Sequence, residues 1–445
     1  MSQPDDFDNV DPVLPPPLDL SSWRKLPGLL MGIGGLVVLI GLIASWSQPE
    51  PYRLKAFGYS WLLSFMFFLS IGLGGLFLVL VHHLFDAGWS VATRRCCEHI
   101  ATLLSPWMAI LFIPIALLAP KLFAWMAIEN PHADHALHAK LPLFTTAGFY
   151  LVSAACFGLW WWLSSRLKYW SLRQDESGEA LCTLKMRLHA SWGIWVFAFT
   201  LTLAAIMWMK ALQHQWFSTM YGVYYFAGSV WLTLATVYVI TLVLDRQRVL
   251  TEVLHEHQFY FLGSLLFAFT VFWAYVTFSQ YFIIWNANMP EETFWYVIRE
   301  VNASGERTTW FWVGMVIIFG HFFLPFLSLL RIDVKHTFPI MIPLCAWAWA
   351  MHFVDLSFNI LPVYYREGFP FHVIWLPLGC MAFMGGLLAK VFLLKFAGAA
   401  PFPQQDPRLV EAMGLYHPVP TQISGGELDQ TDDMPDATIQ PKGNR

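Results

Sequence analysis

The segment Trp349-Ala350-Met351-His352-Phe353-Val354-Asp355-Leu356-Ser357-Phe358-Asn359 carries an imidazole, a carboxylate and an amide inside an otherwise apolar run. On a helix, His352, Asp355 and Asn359 recur at i, i+3 and i+7 and therefore line one face. An ionisable side chain in hydrocarbon is expensive unless it faces a bundle interior or water, so such a face marks a buried site. His352 is expected near mid-membrane, with Asp355 one turn closer to the outer surface and His321 entering from another span to a similar depth. A carboxylate and two imidazoles at one level can exchange protons, because burial tunes their pKa values. His321, His352 and Asp355 are thus the expected proton-conducting core. Two alternatives stand beside it: the polar groups clamp helices together, or the histidines bind a b-type haem. Against haem, the other candidates His82, His83, His99 and His189 all fall near one surface.

His83 and Asp86 follow the second apolar run together with His82, Arg94 and Arg95. They are either interfacial residues meeting lipid headgroups or the cytoplasmic entry to a proton path. Glu291 is the candidate for its outer end; with Gln280, Tyr281 and Asn286 it could equally touch a quinone headgroup or a neighbouring subunit. His132, His135 and His138 repeat at three-residue spacing like zinc ligands, but their loop holds no further ligand, and no metal is expected. Lys210, Lys390 and Lys395 read as snorkelling side chains near span ends.

These residues are set in ten apolar stretches, each long enough to cross a bilayer as a helix of about 20 residues. The stretches run from Leu26 to Trp46, Phe57 to Leu84, Ile100 to Trp125, Pro142 to Leu167 and Ala190 to Gln213. The second five run from Met220 to Leu244, Gln258 to Trp285, Thr308 to Arg331, Phe338 to Leu361 and Phe371 to Phe396. The expected fold is therefore an all-α polytopic membrane domain over residues 26–396. A leader (1–25) precedes it and a polar tail (397–445) follows; the tail buries too little surface to fold alone and is expected to lie along another subunit. Composition agrees: 57% of residues are hydrophobic and 13% charged, where soluble domains carry about a quarter charged residues. Many of the 23 tryptophans stand at span ends, as an interfacial belt requires. A net charge of -4 speaks against a nucleic-acid partner. Lys and Arg concentrate on the side of the N-terminus (Arg24, Lys25, Arg94, Arg95, Arg166, Lys168, Arg173), which places both termini in the cytoplasm.

The six cysteines form no C-x-x-C or C-x-x-C-H pattern, so neither an iron–sulfur cluster nor a c-type haem is expected in this chain. No G-x-x-x-x-G-K-[ST] loop exists to hold a nucleotide. The glycines of Ile71-Gly72-Leu73-Gly74-Gly75 lie within a span and are read as close-packing positions.

Several motifs resemble a known family. The run Phe67-Phe68-Leu69-Ser70-Ile71-Gly72-Leu73-Gly74-Gly75, continuing to His82-His83-Leu84-Phe85-Asp86, is similar to membrane subunits of the NrfD and polysulfide-reductase type. Within that type it resembles the ActF-like subunits of alternative complex III, a bacterial quinol:cytochrome c oxidoreductase. Phe278-Ser279-Gln280-Tyr281, Pro290-Glu291-Glu292-Thr293, Gly320-His321-Phe322 and Met351-His352-Phe353-Val354-Asp355 carry the same resemblance. It implies two four-helix bundles, approximately residues 57–213 and 220–361, flanked by the first and tenth helices. It implies a bacterial inner-membrane location among lipids, with a paralogous NrfD-like membrane subunit, a periplasmic iron–sulfur subunit and haem c subunits as partners. Those partners would carry the electrons and the sister subunit would bind quinol, so the resemblance implies that this chain is a subunit without a redox centre of its own and not catalytic alone. Proton conduction and scaffolding remain as its expected work. The rival readings are an independent secondary transporter and a purely structural anchor.

Overall fold

The computed structural model describes residues 20, 23, 25–141, 143–250 and 253–413. The acidic leader, Arg24 and the tail beyond Met413 lie outside the described residues. Helix is the only regular structure among those described, as hydrocarbon demands, since a helix satisfies its own backbone polar groups. Ten helices are long and apolar enough to cross a membrane. The first five are α1 (Lys25–Trp46), α2 (Lys55–Leu84), α3 (Gly88–Leu122), α4 (Thr146–Ser177) and α5 (Ala180–Gln213). After α6 (Tyr221–Arg246) and α7 (His257–Ala287) comes a short amphipathic helix, α8 (Pro290–Glu300). The last three spans are α9 (Thr309–Leu329), α10 (Phe338–Val363) and α11 (Trp375–Phe396), and a turn of helix, α12 (Leu409–Ala412), closes the described chain. Lys25 and Phe396 fall on the same face, here the terminal face; α8 lies at the opposite, far face.

Helices α2 to α5 pack in one ring and α6, α7, α9 and α10 in a second, while α1 and α11 pair alongside and lean on α2. The seam is the contact of α2 with α6, and these two helices are the most enclosed: 78% of the apolar window of each is buried, against 17% for α1. A Cβ on Gly74 would lie 2.7 Å from the Ser229 carbonyl oxygen, so the absence of a side chain there lets the two backbones meet. Between α1 and α11, Gly386 has the same function against Met31 and Pro27.

Several sequence expectations need correction: the fourth span runs on to Ser177, not Leu167, and the fifth begins at Ala180, not Ala190. The third span starts at Gly88, not Ile100, because the charged stretch Val91–Ala101 is helical and wholly buried. Its Arg94, Arg95 and Glu98 neutralise one another and partners on other segments, which removes the penalty that hydropathy alone assigns to them. The first part of the tail does not lie free for another subunit: Phe402, Asp406, Arg408 and Ala412 are buried against this chain's own terminal face.

Candidate buried proton site

His321 sits in a π-helical turn, Ile317–Phe323, within α9. A π turn rotates the following side chains relative to the regular helix and recurs at functional sites. Here the imidazole lies between two indoles, with ring centroids 4.0 Å from Trp231 of α6 and 3.7 Å from Trp273 of α7, both nearly parallel to it. It is fully buried, and neither ring nitrogen has a partner among the described residues.

His352 of α10 crosses the seam between the rings of helices, its Nε2 3.0 Å from Ser70 Oγ on α2. Ser70 donates its own hydrogen to the Met66 carbonyl at 2.9 Å, so the hydroxyl accepts from His352 and Nε2 carries the proton of that bond. Nδ1 is then the free acceptor, and it is unpartnered. Gly228 of α6 leaves room for the ring: a Cβ there would stand 3.1 Å from Cε1 and 3.4 Å from Nδ1.

Asp355 accepts a hydrogen bond from the Tyr224 hydroxyl. Asn359 Nδ2 donates to the Asp355 carbonyl at 2.8 Å and to the Tyr224 oxygen at 2.7 Å, and Tyr221 donates to Asn359 Oδ1 at 3.0 Å. Because a backbone carbonyl only accepts, the amide orientation of Asn359 is chemically forced. The ligating atoms of His321, His352 and Asp355 all lie within 4.8 Å of one another. The structure thus brings these three expected residues into one buried group. The group holds one carboxyl and two imidazoles, three side chains that can each bind a proton.

His321, His352 and Asp355 also form a group that could hold a metal ion, where sequence reading offered no reason to expect one.

His83 and Asp86 are not part of this group. Along α2 the rise from Ser70 to His83 is about 20 Å. His82 and His83 are buried, not facing headgroups: His82 meets Ser90 Oγ at 2.6 Å and Arg94 Nη1 at 3.1 Å, and His83 has no partner among the described residues. Arg94 pairs with Glu98 at 3.1 Å and with Asp406; Arg95 pairs with Glu98 at 3.0 Å and with Asp175. Asp86 is held by Arg187 and by Arg408 at 2.8 Å. Arg408 also binds Asp406, at 2.8 and 2.9 Å. Burial pushes the Asp406 carboxyl up, yet the Arg94 and Arg408 guanidiniums outweigh it and hold the group below the usual carboxylate range. Residues 402–413 therefore strap the terminal face over the two histidines.

Glu291 is exposed on the first turn of α8, remote from this network. The residue of α8 that does reach inward is Arg299, which is fully buried and donates to the Phe358 and Asn359 carbonyls at 2.9 and 3.1 Å. Nearby, a cavity of about 580 Å³ opens at the far face, lined by Glu50, Lys121, Gln213, His214, Tyr364 and Arg366 among others. His132, His135 and His138 are exposed, and the adjacent Asp134 bonds His214 at 2.8 Å. Lys210 is buried, with its amine over the Phe217 ring instead of reaching water.

Sequence reading missed Ser70, Tyr221, Tyr224, Gly228, Trp231, Trp273 and Arg299. A signal existed for the tyrosines, since Tyr221 and Tyr224 stand at i and i+3 inside an apolar run. No protein-family model matches this chain, and no curated protein matches it in sequence.

Proposed function

We propose that this chain is a proton-handling membrane subunit of a quinol:cytochrome c oxidoreductase of the alternative complex III kind. The observation that carries the reading is the convergence of His321, His352 and Asp355 within 4.8 Å in a buried, otherwise apolar interior. Such a group is functional far more often than not at membrane depth, because hydrocarbon penalises it. The motif resemblance supplies the assignment to a respiratory complex. On this reading the terminal face is cytoplasmic, the membrane is the bacterial inner membrane, and a sister NrfD-like subunit binds quinol. An iron–sulfur subunit and haem c subunits carry the electrons. This chain's residues take up a proton on His352 Nδ1 or His321, share it with the Asp355 carboxylate, and release it as electrons pass nearby.

One observation favours a structural anchor instead: the Asp355–Tyr224 hydrogen bond joins α10 to α6 and would clamp them whether or not protons move. Asp355→Asn separates the two readings, since an amide oxygen still accepts from Tyr224 but cannot exchange a proton. In the assembled complex in vesicles, turnover with quinol and cytochrome c is expected to persist while protons beyond those of quinol chemistry disappear. Proton counts equal to wild type, at equal turnover, refute the proton role and leave the anchor.

A further inference from the structure

A site that passes protons must not join both faces of the membrane at once, and the far half of this molecule is built in a way that bears on this. Between the triad and the far face lies a line of hydrogen bonds: Tyr221 to Asn359, Asn359 to Tyr224, Tyr224 to Asp355. Every hydrogen in it points toward Asp355. For a proton to leave outward, the Tyr224 oxygen would have to pass it to Asn359 Nδ2, an amide nitrogen with no lone pair to receive it. Outward transfer therefore stops at the amide, while inward transfer, along the direction of the hydrogens, is left for the charge at the outer end to oppose.

Arg299 stands at its outer end. The guanidinium donates to the Trp295, Phe358 and Asn359 carbonyls at 2.6, 2.9 and 3.1 Å and to Gln213 Oε1 at 3.3 Å, and stacks 3.5 Å from the Trp295 ring centroid. None of these partners is a carboxylate, so the positive charge is uncompensated by an ion pair. Burial draws Arg299 down to about 9, which still leaves it protonated at neutral pH. Gln213 also lines the far-face cavity, so the cation sits between that cavity and the Tyr–Asn line. In low dielectric a fixed charge at such a point repels an incoming proton strongly.

We propose that Arg299, with the Tyr221–Asn359–Tyr224 line, is a proton barrier that closes the far face of the His321–His352–Asp355 site. The inference rests on the proton-handling reading above and adds its sidedness: exchange runs to the terminal face, and the far-face cavity is not an open mouth of the path.

The test uses the assembled complex in phosphatidylcholine–phosphatidylglycerol vesicles holding a pH-sensitive dye, without quinol, under a potassium gradient clamped by valinomycin. Passive proton entry is compared for wild type, Arg299→Met, Arg299→Lys and Arg299→Met with Asp355→Asn. Arg299→Met is expected to leak about tenfold faster than wild type, Arg299→Lys to stay near wild type, and the double variant to return to the wild-type rate. An assembled Arg299→Met complex that leaks no faster overturns the barrier, as does a leak that survives Asp355→Asn. If Arg299→Met does not assemble, Arg299→Gln removes the charge while keeping a donor toward the Asn359 carbonyl, and an unchanged leak in it is equally decisive. Failure here, with proton counts in the coupled assay still dependent on Asp355, refutes the barrier alone; coupled counts independent of Asp355 refute the underlying proton role.

Discussion

Asp406→Asn changes one atom type and should release the strap from the terminal face. The Asp406 side chain is wholly buried between Arg94 and Arg408. Removing one partner of a buried ion pair costs about 3–5 kcal/mol, because a charge is left desolvated. Both arginines keep a second carboxylate, Arg94 at Glu98 (3.1 Å) and Arg408 at the half-exposed Asp86 (2.8 Å), so the lower end, about 3 kcal/mol, is expected. At 1.4 kcal/mol per decade that shifts strap docking by about a hundredfold. Hydrogen exchange reads it directly. The amides of Leu409 and Ala412 bond the Asp406 and Arg408 carbonyls at 2.9 and 3.0 Å, and should exchange about a hundredfold faster in the variant if opening limits exchange. Exchange within about threefold of wild type would refute the assignment of strap docking to this ion pair. Replacing the pair with apolar groups, Arg94→Met with Asp406→Leu, should recover most of the protection, since buried pairs are often no better than hydrophobic isosteres.

The pH dependence of the strap has a definite sign. Asp406 is depressed in the folded state, so its contribution is complete above the ordinary carboxyl pKa of about 3.9 and is lost only as pH falls through the lower folded value. The difference in thermal midpoint between wild type and Asp406→Asn, followed by tryptophan fluorescence, should hold constant from about pH 8 to 5 and shrink only below about pH 4. At the triad, Gly228→Ala places a methyl 3.1 Å from His352 Cε1. The ring must shift by a few tenths of an ångström at a cost of about 1–2 kcal/mol, and proton counts in the coupled assay should fall while the complex still assembles.

The ten spans were legible because length and hydropathy are properties of consecutive residues, and a bilayer asks for about 20 apolar ones in a row. The shared face of His352, Asp355 and Asn359 was legible for the same reason: three positions on one helix follow from its period. That local logic misread Val91–Ala101. Arg94, Arg95 and Glu98 look like a surface loop to any scale that scores residues singly, yet they are buried because Asp406 lies opposite Arg94 across 312 positions of chain and Ser171 meets Arg95 across 76. Tertiary structure alone decided that His321 faces His352, since a π turn and two flanking indoles aim it and no periodicity encodes either. It likewise chose Arg299 over the exposed Glu291, four carbonyl and amide oxygens from α5, α8 and α10 converging on one guanidinium. Sequence by itself determined which groups must be hidden from lipid; only the packing of distant helices decided which of them meet, because the energy of a buried polar group belongs to its partners.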